Sequence, residues 1–407
     1  MSKKKLLIIV GAGASCEFGM PSVAGVREII NAEAQKWYPL ADAGATNLYE
    51  HVEAEIRQRS GREPNFEQVL YLILTLSAAK WAKAVNSGEA AFVNVQGLPD
   101  VSFGQQGRQQ VDEHTLRQLE HFLIDGLLSH FRELCRGAES DKAPEFARLE
   151  RFLAALREEF EIAVVTLNYD NVMYRAFPGI ETGFDPADGI FKQERIFNRR
   201  SWPCMIHMHG SVHFDMRVRN KELHEIHWQQ DLASTFQQNS FGRSGQRGVE
   251  SLEFPTSAII AGYGKPIQLL RRPFRTYYSE LDRLVANCDA VLFAGYGFGD
   301  KHVNTAFEGY RDWRQRPVAI IKFAEDNEMT VAGSWNDDPS IYTILSIFQT
   351  HQNSMRWLSY SHPSSVAKLK EAREFETSCD PMTPLSFWYD GMLLACDNVD
   401  KVLAQLR

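Results

Sequence analysis

Close to the start of the chain, the branched apolar run at residues 6–10 leads straight into Gly11-Ala12-Gly13-Ala14-Ser15. Short, continuous apolar runs of this kind belong to strands covered on both faces, as in a parallel sheet. A glycine-rich turn directly after such a strand starts the crossover that a parallel sheet requires, so this junction points to an α/β layer architecture. Ser22 then caps a helical pattern with Val23, Val26, Ile30 and Trp37 on one face. Phe66, Val69, Leu70, Ile73 and Leu74 mark a second amphipathic helix. Leu116, Leu119, Phe122, Leu123, Leu127 and Phe131 mark a third, and Phe146, Leu149, Phe152, Leu153 and Leu156 a fourth. The polar stretch 102–112 reads as an exposed loop.

After this helical block, short apolar runs return at 162–166, 204–207, 257–261, 290–294 and 318–323. Phe274, Tyr277, Tyr278, Leu281, Leu284 and Val285 form a helix face just before the fourth of them. Strands alternating with helices predict a parallel sheet with helices on both faces. The polar, glycine-rich region 237–248 reads as a mobile loop, and from about Asp326 onward the strand rhythm is lost.

Composition narrows the class. The 407 residues suffice for one or two domains, and 44% hydrophobic with 24% charged residues is ordinary for a globular protein. A net charge of -8 argues against nucleic-acid binding by general electrostatics. Cys16, Cys135, Cys204, Cys288, Cys379 and Cys396 contain no C-x-x-C pair, so neither a zinc ribbon nor a disulfide framework is expected. The basic start is followed by an apolar run too short for a secretory signal, and no stretch nears the roughly 18 apolar residues that span a bilayer. A cytoplasmic protein with reduced thiols and no membrane partner is the expectation.

Four strand ends carry groups with chemical potential. At Gly11–Ser15, glycines let the backbone turn sharply and approach a phosphate, although a plain tight turn has the same signature. The full G-x-G-x-x-G fingerprint is absent, because Cys16 stands where the third glycine would be. Thr166-Leu167-Asn168-Tyr169-Asp170 places Asn168 and Asp170 where they reach ribose hydroxyls and a water, or cap the helix starting near Val172. His207-Met208-His209-Gly210-Ser211 offers His209 as a general base. The His-x-His pair also raises a zinc site, but no nearby carboxylate or cysteine cluster completes a ligand set, so no metal is expected and His207 reads as a core histidine. Gly295-Tyr296-Gly297-Phe298-Gly299-Asp300, followed by His302 and Asn304, is either the far side of a dinucleotide site or another plain turn.

Taken in order, GAGAS with Phe18-Gly19-Met20-Pro21-Ser22, then TLNYD, HGS and GYGFGD, resemble the sirtuin-like NAD-binding family from about Leu6 to Phe323. Within it, the Phe-Gly-x-Pro-Ser and Gly-Tyr-x-Phe-x-Asp variants are similar to bacterial effectors of phage-defence systems. The resemblance implies an α/β fold, a Rossmann-like parallel sheet with an inserted helical subdomain at about 30–157. A catalytic domain over 1–325 and a C-terminal extension over 326–407 follow from it. It places Gly11, Ala12, Gly13 and Ser15 on the NAD pyrophosphate, and Asn168 and Asp170 at the nicotinamide ribose and the water. His209 becomes the catalytic histidine, and Gly295, Tyr296 and Phe298 border the adenosine half. It leaves Asp300 and His302 without a role.

Two departures matter. Protein-deacylating sirtuins carry Asp-Phe-Arg where this chain has Ser22-Val23-Ala24, and two C-x-x-C zinc pairs that it lacks. Hydrolysis of NAD to nicotinamide and ADP-ribose is therefore the activity expected, with NAD as substrate and a role in anti-phage defence. The alternatives are a zinc-free deacylase or ADP-ribosyl transferase, and, in a different class, an idle subunit that senses NAD or ADP-ribose. Because an unregulated NADase would empty the cell of cofactor, a homo-oligomer under control is expected. The resemblance also implies a hexameric HerA-type ATPase as partner.

Overall fold

The computed structural model describes residues 3–41, 46–84, 98, 100–102, 107–220, 223–236, 246–247, 253–254, 258–260, 272–308, 316–324, 343–344, 346–348, 363–378 and 384–407. Among them, seven strands form one sheet. These are β1 (Lys4–Val10), β2 (Phe160–Thr166), β3 (Cys204–His207), β4 (Ala290–Ala294), β5 (Val318–Ile321), β6 (Glu376–Thr377) and β7 (Leu385–Trp388). Their order is β6-β7-β5-β4-β1-β2-β3, and every neighbouring pair is parallel except β6 with β7. The fold is mixed α/β, with a mostly parallel, Rossmann-like sheet.

The apolar runs explain the sheet. Residues 6–10, all of β3, β4, β5 and β7, and all of β2 but Glu161 are buried, as strands covered on both faces must be. From β1 the chain first builds outward through β2 and β3, then crosses back to lay β4, β5 and β7 on the other side. The order therefore reverses between β1 and β4, and a doubly wound sheet opens its ligand crevice beyond the carboxyl ends of the strands at such a point. Val10 pairs with both Ala294 and Thr166, and Thr166 with His207, so the strand ends that carry the four motifs lie level.

Among the described residues, five α-helices run between β1 and β2: α1 (Val23–Trp37), α2 (Leu48–Ser60), α3 (Phe66–Ala84), α4 (Glu113–Asp141) and α5 (Ala143–Glu159). Ser22 does cap α1, its Oγ accepting from Gly25 N at 3.3 Å, and Asp112 caps α4 through Thr115 N at 2.7 Å. The face expected on α1 holds only in its middle. Val26 and Ile30 are buried, but Val23 and Trp37 are 53% and 40% exposed, and Trp37 stacks on Phe122 instead of entering the core. On α5 the five expected residues are all buried. Further helices are α6 (Val172–Ala176), α7 (Gln193–Phe197), α8 (Phe274–Asn287), α9 (Lys301–Glu308), α10 (Pro363–Ala372), α11 (Gly391–Asp397) and α12 (Val399–Leu406).

Several sequence expectations need correction. The 102–112 stretch is no simple exposed loop: Val101–Ser102 pairs antiparallel with Arg108–Gln109, and Val111 is buried. The 257–261 run forms no strand in its described part. Its Ala258, Ile259 and Ile260 are buried beneath the His209 turn, with Ile260 N donating to His209 O at 2.8 Å. Strand β5 stops at Ile321, leaving Phe323 exposed. Most of 237–248 lies outside the described residues, and Gln246–Arg247 pairs with Glu253–Phe254.

The absence of strands after about Asp326 is also overturned, since β6 and β7 both join the main sheet. The reason is a short apolar segment, Leu385–Trp388, that pairs with β5 residue for residue. Glu17, just after the first glycine turn, accepts from Met392 N at 2.6 Å and Leu393 N at 3.0 Å, tying the start of α11 to that turn. No helix among the described residues is long and apolar enough to cross a membrane.

Candidate active site

Two glycine loops cross at the switch point. Gly11 N donates to Ala294 O at 3.0 Å and Gly13 N to Gly295 O at 3.1 Å, so the turn after β1 rests on the turn after β4. A Cβ on Gly11 would stand 2.7 Å from Gly295 O, and one on Gly295 would fall 1.9 Å from Ala14 N. Gly295 also has φ +60°, a left-handed conformation that side chains rarely adopt. The glycines thus bring the two backbones into contact at the strand ends. Ala14 N and Ser15 N close short turns onto Gly11 O and Ala12 O.

The turn after β2 joins this cradle. Asn168 Nδ2 donates to Gly11 O at 3.0 Å and to Ser15 Oγ at 2.9 Å, leaving its Oδ1 as the acceptor. Asp170 accepts from Val172 N at 3.0 Å from one position ahead of the helix's N-cap, which is Asn171. It also accepts from the Ser15 hydroxyl. Burial raises the Asp170 carboxyl above the usual range, and those hydrogen bonds work against the shift. Ser15, expected at the pyrophosphate, is buried with its hydroxyl engaged by Asn168 and Asp170.

The turn after β3 carries His209. Gly210 has φ +105°, and a Cβ there would press to 2.7 Å on Ala258 O, so glycine lets the His209 turn pack down on 258–260. His209 is buried to 7% exposure, and its Nε2 lies 2.7 Å from Asp300 Oδ2. An ionised carboxylate can only accept, so Nε2 carries the proton and the lone pair of the neutral ring sits on Nδ1. Asp300 is held in turn: its other oxygen accepts from His302 N at 2.9 Å and Val303 N at 3.2 Å, capping α9. The pairing of Asp300 with His209 is the contact that sequence reasoning missed; its only signal was an acidic residue without a role at the end of a glycine loop.

His207 is the core histidine expected. Burial pushes it down to about 3, and its ring packs against Phe214 and Trp228. Tyr296 and Phe298, expected beside the adenosine, are buried and packed with Phe293. Tyr296 OH donates to Asn304 Oδ1 at 2.8 Å, while Asn304 Nδ2 donates to Phe298 O at 2.8 Å. Phe298 holds φ 55°, unusual for a bulky residue, and this pair of bonds braces the loop around it. A separate cleft of about 870 Å³ opens beside the 168–171 turn, lined in part by Arg136, Asn171, Tyr174, Arg175, His213 and Gln230. The glycine loops, His209 and Asp300 do not line it.

Comparison with known proteins bears on this arrangement. Residues 162–338 match the family model of the SIR2-like domain. The matched segment contains Asn168, Asp170, His209 and Asp300, and begins after the first glycine turn and the helical block. No curated protein matches the chain. Among solved structures, the chain is similar to Sir2Tm bound to a propionylated peptide, at 12% identity over 84% of this chain and 91% of that one, with a TM-score of 0.29. It is similar to a mutant Sir2 homologue in complex with 2'-O-acetyl ADP ribose, at 12% identity, 79% and 82% coverage and a TM-score of 0.33. A Sir2 homologue–NAD complex follows at 13% identity, 78% coverage of both chains and a TM-score of 0.30.

Proposed function

We propose that this chain is a sirtuin-like NAD hydrolase that cleaves the nicotinamide–ribose bond with water, giving nicotinamide, ADP-ribose and a proton. We further propose that it acts in the cytoplasm as the NAD-depleting effector of a bacterial anti-phage defence system, as a homo-oligomer, with a HerA-type ATPase as partner. One observation carries the chemical part: all four motif loops are hydrogen-bonded together at the switch point. Gly13 bonds Gly295, Asn168 bonds Gly11 and Ser15, and His209 bonds Asp300. Residues so far apart in sequence meet at the mouth of an α/β crevice, which is where such a sheet takes a dinucleotide.

Each residue then has a task. The glycine cradle of Gly11, Ala12, Gly13 and Gly295 admits the pyrophosphate against the backbone. Asn168 Oδ1 accepts from the attacking water, and Asp170 holds Asn168 and Ser15 in place. As the bond to nicotinamide lengthens, positive charge grows on the ribose, as in glycosyl transfer generally. His209 Nδ1 takes the proton from a ribose hydroxyl or from the water while Asp300 steadies the imidazolium.

Two variants separate binding from turnover. Gly13 N rests on Gly295 O, and a Cβ at Gly13 would already meet that oxygen at 3.0 Å. Gly13→Val should therefore abolish NAD binding in calorimetric titration. His209→Ala should still bind NAD yet lose turnover about a hundredfold to ten-thousandfold. Equal loss of binding in both variants would make His209 a structural contact and not a base.

A further inference from the structure

Three tyrosines surround the His209–Asp300 pair, and two have settled hydroxyls. Tyr296 OH donates to Asn304 Oδ1 and lies 3.2 Å from Asp300 O, and Tyr169 OH donates to Ile260 O at 3.1 Å. The third, Tyr278 on α8, has a buried hydroxyl with no hydrogen-bond partner among the described residues. Its ring meets His302 edge-on at 6.5 Å, and His302 N donates to Asp300, the carboxylate that holds His209. Burial, then the charges of Asp300 and Glu67, push the Tyr278 phenol upward, so the group is a neutral O–H donor. Buried hydroxyls nearly always find a partner, because leaving one unmade is unfavourable. An unmade bond this close to the reacting end of the site points to a partner that arrives with the ligand.

We propose that Tyr278 is a substrate-binding residue whose hydroxyl donates a hydrogen bond to the nicotinamide-ribose half of bound NAD. The proposal rests on the NAD reading above. It also separates the two halves of the dinucleotide, since Tyr278 stands by the His209–Asp300 pair and so at the end where the bond breaks.

Calorimetric titration of the whole protein and of Tyr278→Phe with NAD, ADP-ribose and AMP tests it, alongside the melting temperature of each. NAD and ADP-ribose both carry the second ribose; AMP does not. Loss of one neutral hydrogen bond should weaken NAD and ADP-ribose about 3- to 10-fold. AMP binding should stay unchanged, and the melting temperature should stay level or rise, because the native hydroxyl has no partner to lose among the described residues. Unchanged NAD affinity in Tyr278→Phe overturns the proposal and leaves the NAD reading standing. A uniform loss for all three ligands with a lowered melting temperature also overturns it, since that is the mark of a structural residue. Failure of the unaltered protein to bind any of the three overturns the NAD reading, and this proposal with it.

Discussion

Asp300 does two things with two oxygens: Oδ2 accepts from His209 Nε2, and Oδ1 caps α9 through the His302 and Val303 amides. Asp300→Asn separates them. An asparagine keeps a carbonyl oxygen for the cap but turns an N–H₂ toward Nε2, which must then accept. The imidazole proton moves to Nδ1, and the proposed base loses its lone pair. Turnover should fall by about two to four orders of magnitude, while NAD affinity and melting temperature change little. Steady-state kinetics with calorimetry checks this, and a variant with full turnover would remove Asp300 from the account. Asn168, Asp170 and His209 stood out as candidates because they are polar residues at the ends of apolar runs. Their partners were not. Asp300 is 91 positions from His209, and only the level ends of β3 and β4 bring the pair together.

At the scale of elements, α4 holds a charge problem inside its apolar face. Glu120 is buried, and neither carboxylate oxygen has a hydrogen-bond partner among the described residues. Burial first, and then the nearby Asp125, push it up to about 8 from an ordinary value of 4.5. The folded protein therefore keeps a proton that the unfolded chain has released. The associated stability is complete below about pH 4.5 and drains away as the pH rises through about 8. Glu120→Gln mimics the protonated form. Its melting temperature should match that of the unaltered protein near pH 5 and exceed it by several degrees near pH 8.5; equal values at both would refute the burial argument. Strands β3 and β4 coincide with their apolar runs, because a strand covered on both faces needs nothing else. The run at 257–261 misled because burial alone cannot separate a strand from a loop packed under a turn. Within it, Ile260 N donates to His209 O and Ile260 O accepts from Tyr169 OH.

The described sheet is organised by one reversal of strand order, and the candidate site residues lie at the strand ends around it. Its Rossmann-like character was legible from the alternation of apolar runs and helical faces. The place of the C-terminal segment was not, since Leu385–Trp388 is short and Ser386 interrupts it, yet β7 pairs with β5 and Glu17 binds α11 to the first glycine turn. The reaction proposed for these strand ends is hydrolysis of NAD. It is tested most directly by incubating the protein, with and without an acylated peptide, with NAD in ¹⁸O-labelled water and separating the products by chromatography with mass detection. The products expected are nicotinamide and ADP-ribose carrying one labelled oxygen, formed in the absence of peptide and lost in Asn168→Ala and His209→Ala. Acyl-ADP-ribose formed only with the peptide, or no nicotinamide at all, would contradict it.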